Sequence, residues 1–277
     1  MLLSLATLWK VDLSISSIIN YLDLAYVDVS DNTLTGAIPE GLCARGHFVI
    51  LTADNNRFHG SIPLTSAIPE GLCDRGQFIY LTADNNRFNG SIPESLANCV
   101  TLQGLSFNDN QLTGAILEGL CSAEGGLFVS LTADNNRLNG LSSFLPSYID
   151  ILVYFLTSIC DINQLTYLDL SDNNISSAFP TTLYHCVSIE YLDLSQNNLT
   201  AADMGQSIEE SLTTLKINYH RFSGTIPSDL GSLKRLQTLW LANNPFDAGE
   251  LPASFKNLAN LVSLWAVTAT SSESSQA

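Results

Sequence analysis

Carboxylates recur along this 277-residue chain in a pattern that chemistry could use. Asp28, Asp54, Asp84, Asp134, Asp169 and Asp193 each fall in or just after a short Val- or Leu-centred segment, with Tyr26, Tyr80, Tyr167, Tyr191 and Trp240 nearby. If those segments are neighbouring strands, two such carboxylates lie ~5 Å apart, the separation of a retaining glycosidase pair. That chemistry also needs a desolvated pocket to drive the two pKa values apart, and an open sheet supplies none. The simpler reading is a solvated acidic surface. The four histidines form no H-E-x-x-H pattern, and no serine nucleophile elbow is present. No catalytic, cofactor-binding or metal-ligating residue is therefore assigned. The same residue types suit recognition better, because aromatic side chains anchor interfaces. The candidate binding face is Tyr80, Asp84, Asp134, Tyr167, Asp169, Tyr191, Asp193 and Trp240. A net charge of −16 favours a basic peptide or protein partner and speeds its encounter.

That charge, with only 11 basic residues, argues against nucleic acid and against an anionic membrane surface. No basic patch is apparent in the linear sequence. The longest apolar run, Ile151–Leu156, is far short of the ~20 residues a membrane helix needs. The N-terminus is apolar but has no basic start and no cleavage site, so no signal peptide is recognised. Six cysteines include no C-x-x-C pair. Cys73 with Cys99, and Cys160 with Cys186, share a spacing of 26 residues. If that is about one structural repeat, each pair falls within disulfide reach. The alternative is a buried thiol in an apolar slot, which Cys99 and Cys186 would fit. Asn89-Gly-Ser, Asn174-Ile-Ser and Asn198-Leu-Thr are candidate N-glycosylation sites.

The elements that must position these groups follow from a recurring motif, L-x-L-S-x-N-x-L-x-G-x-I-P. Its first strand leucine (valine in the first copy) falls at 27, 51, 81, 105, 131, 168, 192, 215, 239 and 264. The commonest gap is 24, with outliers of 30 and 37. Two residues on comes another inward position, because side chains alternate along a strand. Seven on comes a third apolar residue, Leu34, Phe58, Phe88 and their equivalents. Between them stands an asparagine (Asn32, Asn56, Asn86, Asn110, Asn136, Asn173, Asn197 and Asn244) that can bond backbone where the chain leaves the strand. His220 takes that slot once, which predicts a weak rung. Gly and then Ile-Pro follow, and leucines at three-residue spacing suit 3₁₀ turns on the return path. A period near 24 with this punctuation predicts a leucine-rich repeat solenoid of the α/β-type repeat class. The expected form is a curved right-handed superhelix, with a parallel β-sheet on the concave face and 3₁₀ or loop segments on the convex face.

The chain divides into a degraded repeat over 1–26, a first block over 27–140, an irregular junction over 141–158, a second block over 159–265 and a disordered Ser/Thr-rich tail over 266–277. Val11-Asp-Leu-Ser reads as the damaged repeat, and Tyr148–Phe155 is a candidate extra strand. Residues 37–63 are closely repeated at 67–93, which points to tandem copying.

The Gly-x-Ile-Pro consensus resembles the plant-specific class of leucine-rich repeats. Two stretches, Tyr26 to Cys43 and Tyr167 to Phe246, look like ectodomains of plant leucine-rich-repeat receptor-like protein kinases of the HAESA-like group. That resemblance implies an extracellular peptide-hormone receptor at the plasma membrane or in the apoplast, with a peptide or protein ligand and a co-receptor as a further candidate partner. The chain departs from the family plan. It has no Gly-rich phosphate loop, H-R-D or D-F-G, lacks the paired-cysteine cap, and carries its two blocks in an order that looks rearranged. The rival readings are a secreted inhibitor of an extracellular hydrolase, similar to polygalacturonase-inhibiting proteins, and a non-functional truncated gene product.

Overall fold

A computed structural model of the chain describes residues 2–4, 25–36, 38, 49–61, 79–92, 96, 99, 101–114, 127–139, 164–176, 178–179, 187–200 and 211–266. Its main sheet is parallel and eleven-stranded: β1 (Leu2–Ser4), β2 (Tyr26–Asp28), β4 (Ile50–Thr52), β6 (Tyr80–Thr82), β8 (Gly104–Ser106), β10 (Ser130–Thr132), β12 (Tyr167–Asp169), β13 (Tyr191–Asp193), β14 (Thr214–Lys216), β15 (Thr238–Trp240) and β16 (Ser263–Trp265), in that order. Every motif leucine pairs with the next in register, from Val27 opposite Leu51 to Leu239 opposite Leu264. The reason is burial. A slip of one residue would turn this column outward, and Leu131, Leu168, Leu215 and Leu239 are fully buried.

Two irregular gaps close without an extra rung. Leu51 pairs directly with Leu81, and Leu131 directly with Leu168. The 37-residue gap thus closes as a direct pairing of β10 with β12, and the candidate extra strand Tyr148–Phe155 has no part in that pairing. Those residues, like Val11–Ser14, lie outside the described ones. At the other end the sheet gains a rung that the motif missed: β1 pairs with β2 through Leu3 and Val27, one 24-residue period apart.

The asparagine column holds the turns. Asn56 Nδ2 donates to the carbonyls of Ala53, Asp54 and, across the rung, Val29 at 2.9–3.3 Å, while its Oδ1 accepts from the Leu34 N–H at 3.0 Å. Asn86, Asn110, Asn136, Asn173, Asn197 and Asn244 repeat the arrangement. Each bond is worth about 1 kcal/mol net, and each would cost more if left unmade. His220 fills the slot only in part. Its Nδ1 accepts from the Leu199 N–H at 3.2 Å, but Nε2 is buried without a partner. Just before each asparagine or its replacement lies a left-handed residue, among them Asp31, Asn55, Asn85, Asp109, Asn135 and Asp172. Short Asx side chains tolerate that geometry; Tyr219, beside His220, does not share their advantage.

Beyond the turns the chain forms a second parallel sheet that the repeat pattern did not suggest. Its strands are β3 (Thr35–Gly36), β5 (Arg57–Ser61), β7 (Arg87–Gly90), β9 (Gln111–Gly114) and β11 (Arg137–Leu138). Gly36, Gly90 and Gly114 end or approach the end of these strands at φ of 81–86°, where a side chain would be strained. On the convex side run the 3₁₀ segments η1 (Ser228–Ser232) and η2 (Ala253–Asn257). Leucines at three-residue spacing, such as Leu230, Leu233 and Leu236, point into the common core.

Candidate functional site

Strands only three residues long put one residue inward and two outward, so the outer face of the main sheet is a set of straight columns. The column at the start of each strand carries Tyr26, Tyr80, Tyr167 and Tyr191, and the column at its end carries Asp28, Asp169, Asp193, Lys216, Trp240 and Trp265. A third column, just past the strand, holds Asp54, Asp84, Asn108 and Asp134. All eight candidate residues therefore share one face, in two groups of different character.

Toward the N-terminal side the carboxylates are locked into a ladder. Asp54 accepts from the Thr82 hydroxyl at 3.1 Å and from the Asp84 N–H at 2.8 Å. Asp84 accepts from the Ser106 hydroxyl at 2.8 Å and from the Asn108 N–H at 2.7 Å. Tyr80 lies flat over Gly104, where a Cβ would come within 2.7 Å of its ring, and its hydroxyl donates to Gln103 Oε1 at 3.1 Å. These groups are already satisfied by their neighbours.

Asp134 is different. Its N–H is bonded to Asn108 Oδ1, and among the described residues no side chain donates to its carboxylate, which only its own backbone N–H helps to hold. Desolvation first, then the charges of Asp169, Asp109 and Asp84, push its pKa up to about 6. Burial also raises Asp54, Asp84 and Asp169, against hydrogen bonds that lower each of them. The acidic surface is half-buried rather than enclosed. Stacked short strands pack side chains closely enough to strip water from the acids between them.

Toward the C-terminal side the face is aromatic. Tyr167 and Tyr191 stack at 4.1 Å with planes 4° apart. Burial raises both phenol pKa values, Tyr191 to about 12. Lys216 stands where the column would otherwise continue with acids. Its Nζ pairs with Asp193 Oδ2 at 3.0 Å, donates to the Tyr191 hydroxyl at 2.9 Å, and lies 4.7 Å from the Trp240 ring and 5.2 Å from the Tyr191 ring. Asp193 is only 4% exposed and also accepts from Ser195 N–H and Oγ, so it is a buried acceptor rather than a free surface charge. Trp265, 5.7 Å from Trp240, extends the aromatic row. Sequence reasoning missed Lys216 and Trp265, although both occupy the strand-end position that had drawn attention to Asp169 and Asp193.

Of the other candidates, Cys99 is buried and disulfide-bonded. Cys73, Cys160 and Cys186 lie outside the described residues. Asn89 and Asn174 are exposed, while Asn198 is half-buried and donates to Asn174 Oδ1 at 3.1 Å. Among the described residues no group of His, Cys, Asp and Glu is arranged to hold a metal, and no helix is long and apolar enough to cross a membrane.

In-register leucines, the asparagine column and the 3₁₀ return path define the class of protein, a leucine-rich repeat solenoid. A leucine rich repeat family model matches residues 160–206, and a second one matches 77–99 and 235–258. No curated protein matches the chain. Among solved structures it is similar to PEPR1–AtPEP1, with 27% identity, a TM-score of 0.59, and coverage of 87% of this chain and 38% of that one. It is also similar to RGFR1, a plant peptide hormone receptor in complex with RGF2, with 23% identity, a TM-score of 0.58, and coverage of 88% and 43%. A plant ice-binding protein matches at 20% identity with a TM-score of 0.55, over 88% of this chain and 84% of its own. The chain thus spans about two fifths of the length of the receptor structures it matches.

Proposed function

We propose that the chain is a non-catalytic recognition solenoid of the plant receptor-ectodomain type, which takes a basic segment of a peptide or protein on its concave face. The observation that carries this reading is the carboxylate of Asp134, to which no described side chain donates, beside Asp169 and the Tyr167–Tyr191 stack. Lys216 already neutralises the adjoining acid–aromatic cluster, as an intramolecular stand-in for the cation that such a face attracts. A ligand lysine or arginine would do the same at Asp134, with Tyr167 as the apolar wall. The likeness to a peptide hormone receptor fits this reading. So does extracellular placement, with a co-receptor as a further partner, glycans at Asn89, Asn174 and Asn198, and Cys99 bridged to Cys73. The narrower HAESA-like likeness rests on the two stretches around Tyr26 and Tyr167. The ladder of satisfied acids speaks against hydrolysis, because carboxylates held by hydroxyls and amides are not poised as acid and nucleophile.

The test is binding of a synthetic peptide array graded in net charge, followed by titration of the best binder. A basic peptide is expected to bind, and Asp134→Asn or Tyr167→Ala to weaken it by about tenfold, as loss of an interface anchor does. Affinity should also fall as pH drops through 6, because the free site takes up the proton that a cationic ligand must displace. Binding that ignores peptide charge, or survives both substitutions, would overturn the proposal. Tight capture of a secreted polygalacturonase instead would favour the inhibitor reading.

A further inference from the structure

The concave face is left open at two places, with a self-satisfied stretch between them. The first is Asp134, on the rung of β10, to which no described side chain donates. The second is an aromatic cluster on the rungs of β14, β15 and β16. Trp265 meets Trp240 edge-on at 5.7 Å, and it meets the Tyr219 ring at the same distance. Both tryptophans are half-buried, and Tyr219 is 47% exposed. Tyr219 also holds a left-handed φ of 58°, where every other non-glycine residue of that kind among the described ones is aspartate, asparagine or glutamine. A bulky side chain is strained there. A ring that is nearly half exposed recovers little of that strain through burial, so the fold alone gives no reason for it.

The rungs between these places are closed. Asp169 accepts from the Ser171 N–H at 3.0 Å and from its hydroxyl at 2.8 Å. Asp193 is taken by Ser195 and Lys216, and Tyr167 stacks on Tyr191. The in-register leucines set the span, running Leu131, Leu168, Leu192, Leu215, Leu239 and Leu264. From the rung of Asp134 to that of Trp240 is four strand intervals, and to that of Trp265 five. At ~4.8 Å each, that is roughly 19–24 Å. An extended peptide rising ~3.3 Å per residue covers this distance in about six to seven residues.

We infer that the ligand is a two-anchor peptide, with a basic residue at Asp134 and an aromatic residue on the Tyr219–Trp240–Trp265 cluster, about six to seven residues apart. This rests on the reading of the concave face as a peptide site and adds to it a second anchor and a spacing. Arginine is the basic residue of choice, because its planar fork clasps a carboxylate through two hydrogen bonds. At the other end an aromatic side chain gains most from rings already held edge to face. Lys216 explains why the second anchor is not basic. Its Nζ lies 4.7 Å from the Trp240 ring and repels another cation there. A uniformly basic chain is therefore the poorer fit. A neutral sugar chain stacks on rings but brings no cation to Asp134.

The experiment titrates the full chain by calorimetry with peptides that carry one arginine and one tryptophan, in either order. Serine–threonine spacers set their separation from about two to about ten residues, at ~3.3 Å each. Affinity should peak at a separation of about six to seven and fall by about tenfold where the spacer is too short to reach both anchors. Exchanging the tryptophan for alanine in the best peptide should weaken binding about tenfold in the parent and not at all in Tyr219→Asn or Trp265→Leu. Asparagine suits a φ of 58°, so Tyr219→Asn should melt no lower than the parent. Asp134→Asn should remove the contribution of the arginine and leave that of the tryptophan. Affinity indifferent to separation, or a tryptophan contribution that survives Tyr219→Asn and Trp265→Leu, would overturn the inference. If citrulline in place of the arginine still weakens binding to the parent but not to Asp134→Asn, the reading of the concave face stands without it. An arginine that contributes nothing would overturn both. Binding of cellohexaose that is lost in Trp265→Leu would give the cluster another occupant and overturn the second anchor.

Discussion

His220 shows how much one residue of a repeat carries. At seven other rungs, those of Asn56, Asn86, Asn110, Asn136, Asn173, Asn197 and Asn244, an amide spans the turn with donors and acceptor used; here the ring accepts once and leaves a buried N–H unmatched among the described residues. His220→Asn should therefore stabilise the chain by about 1 kcal/mol, read by calorimetry. The gain should also depend on pH. Burial lowers the His220 pKa from 6.5 to about 4, so between those values the unfolded chain holds more protons, and stability falls as pH falls. Asp134 works in the opposite direction. Its folded pKa of about 6 exceeds the ordinary 3.8, so in that window the folded state holds more protons and gains stability on acidification. The two slopes oppose each other. His220→Asn removes the first and should shift the melting temperature upward relative to the parent as pH falls from about 7 to about 5, whereas Asp134→Asn should shift it downward relative to the parent, with Asp54, Asp84 and Asp169 common to all three chains. A pH-independent gain in the histidine variant would refute the assignment.

Among the elements, the main-sheet strands were legible because a buried leucine cannot move without turning its neighbours outward. The motif leucines are therefore the paired residues, through gaps of 30 and 37 alike. The second sheet was not legible. Its pairs lie 22 to 28 residues apart, and Arg-Phe-His or Arg-Phe-Asn carries no signal beyond one buried aromatic. β1 was missed because Leu3, one period before Val27, is not followed by the asparagine and glycine that mark other copies. β14 carries the chief surprise of the site, since Lys216 reverses the charge of its column. Lys216→Met keeps the stem between Tyr191 and Trp240 but leaves Asp193 buried without a counter-charge. That should cost about 3 kcal/mol in urea unfolding. Adding Asp193→Asn should restore most of the loss, because the desolvated charge is then gone from both sides. A double variant no better than the single would show that the lysine acts through packing alone.

For the whole molecule, the candidate residues fell on one face as expected, but their division of labour did not follow from spacing. Asp84 and Asp193 serve the scaffold, while no described side chain donates to Asp134, because cross-rung hydrogen bonding depends on which hydroxyl or amide the next repeat supplies. The described residues present two unlike surfaces: an acidic and aromatic concave face, and an apolar edge at β16. The second bears on behaviour in solution. Leu239 is fully buried, yet Leu264, its equivalent on β16, is 41% exposed, and Val262 is 86% exposed. The outer backbone of β16 is a free strand edge within the described sheet, and such edges template pairing with another chain. Among the described residues the last spine leucine meets water, and no polar outer face of the kind that keeps solenoids soluble covers it. The isolated chain should therefore associate as its concentration rises, as read by light scattering on a sizing column. Val262→Lys and Leu264→Lys together place charge on the edge and should suppress that association. Because Leu264 contributes far less burial than Leu239, the double variant should unfold within a few degrees of the parent, whereas Leu239→Ala should cost about 2–5 kcal/mol. Equal association of parent and lysine variant would move the contact away from β16.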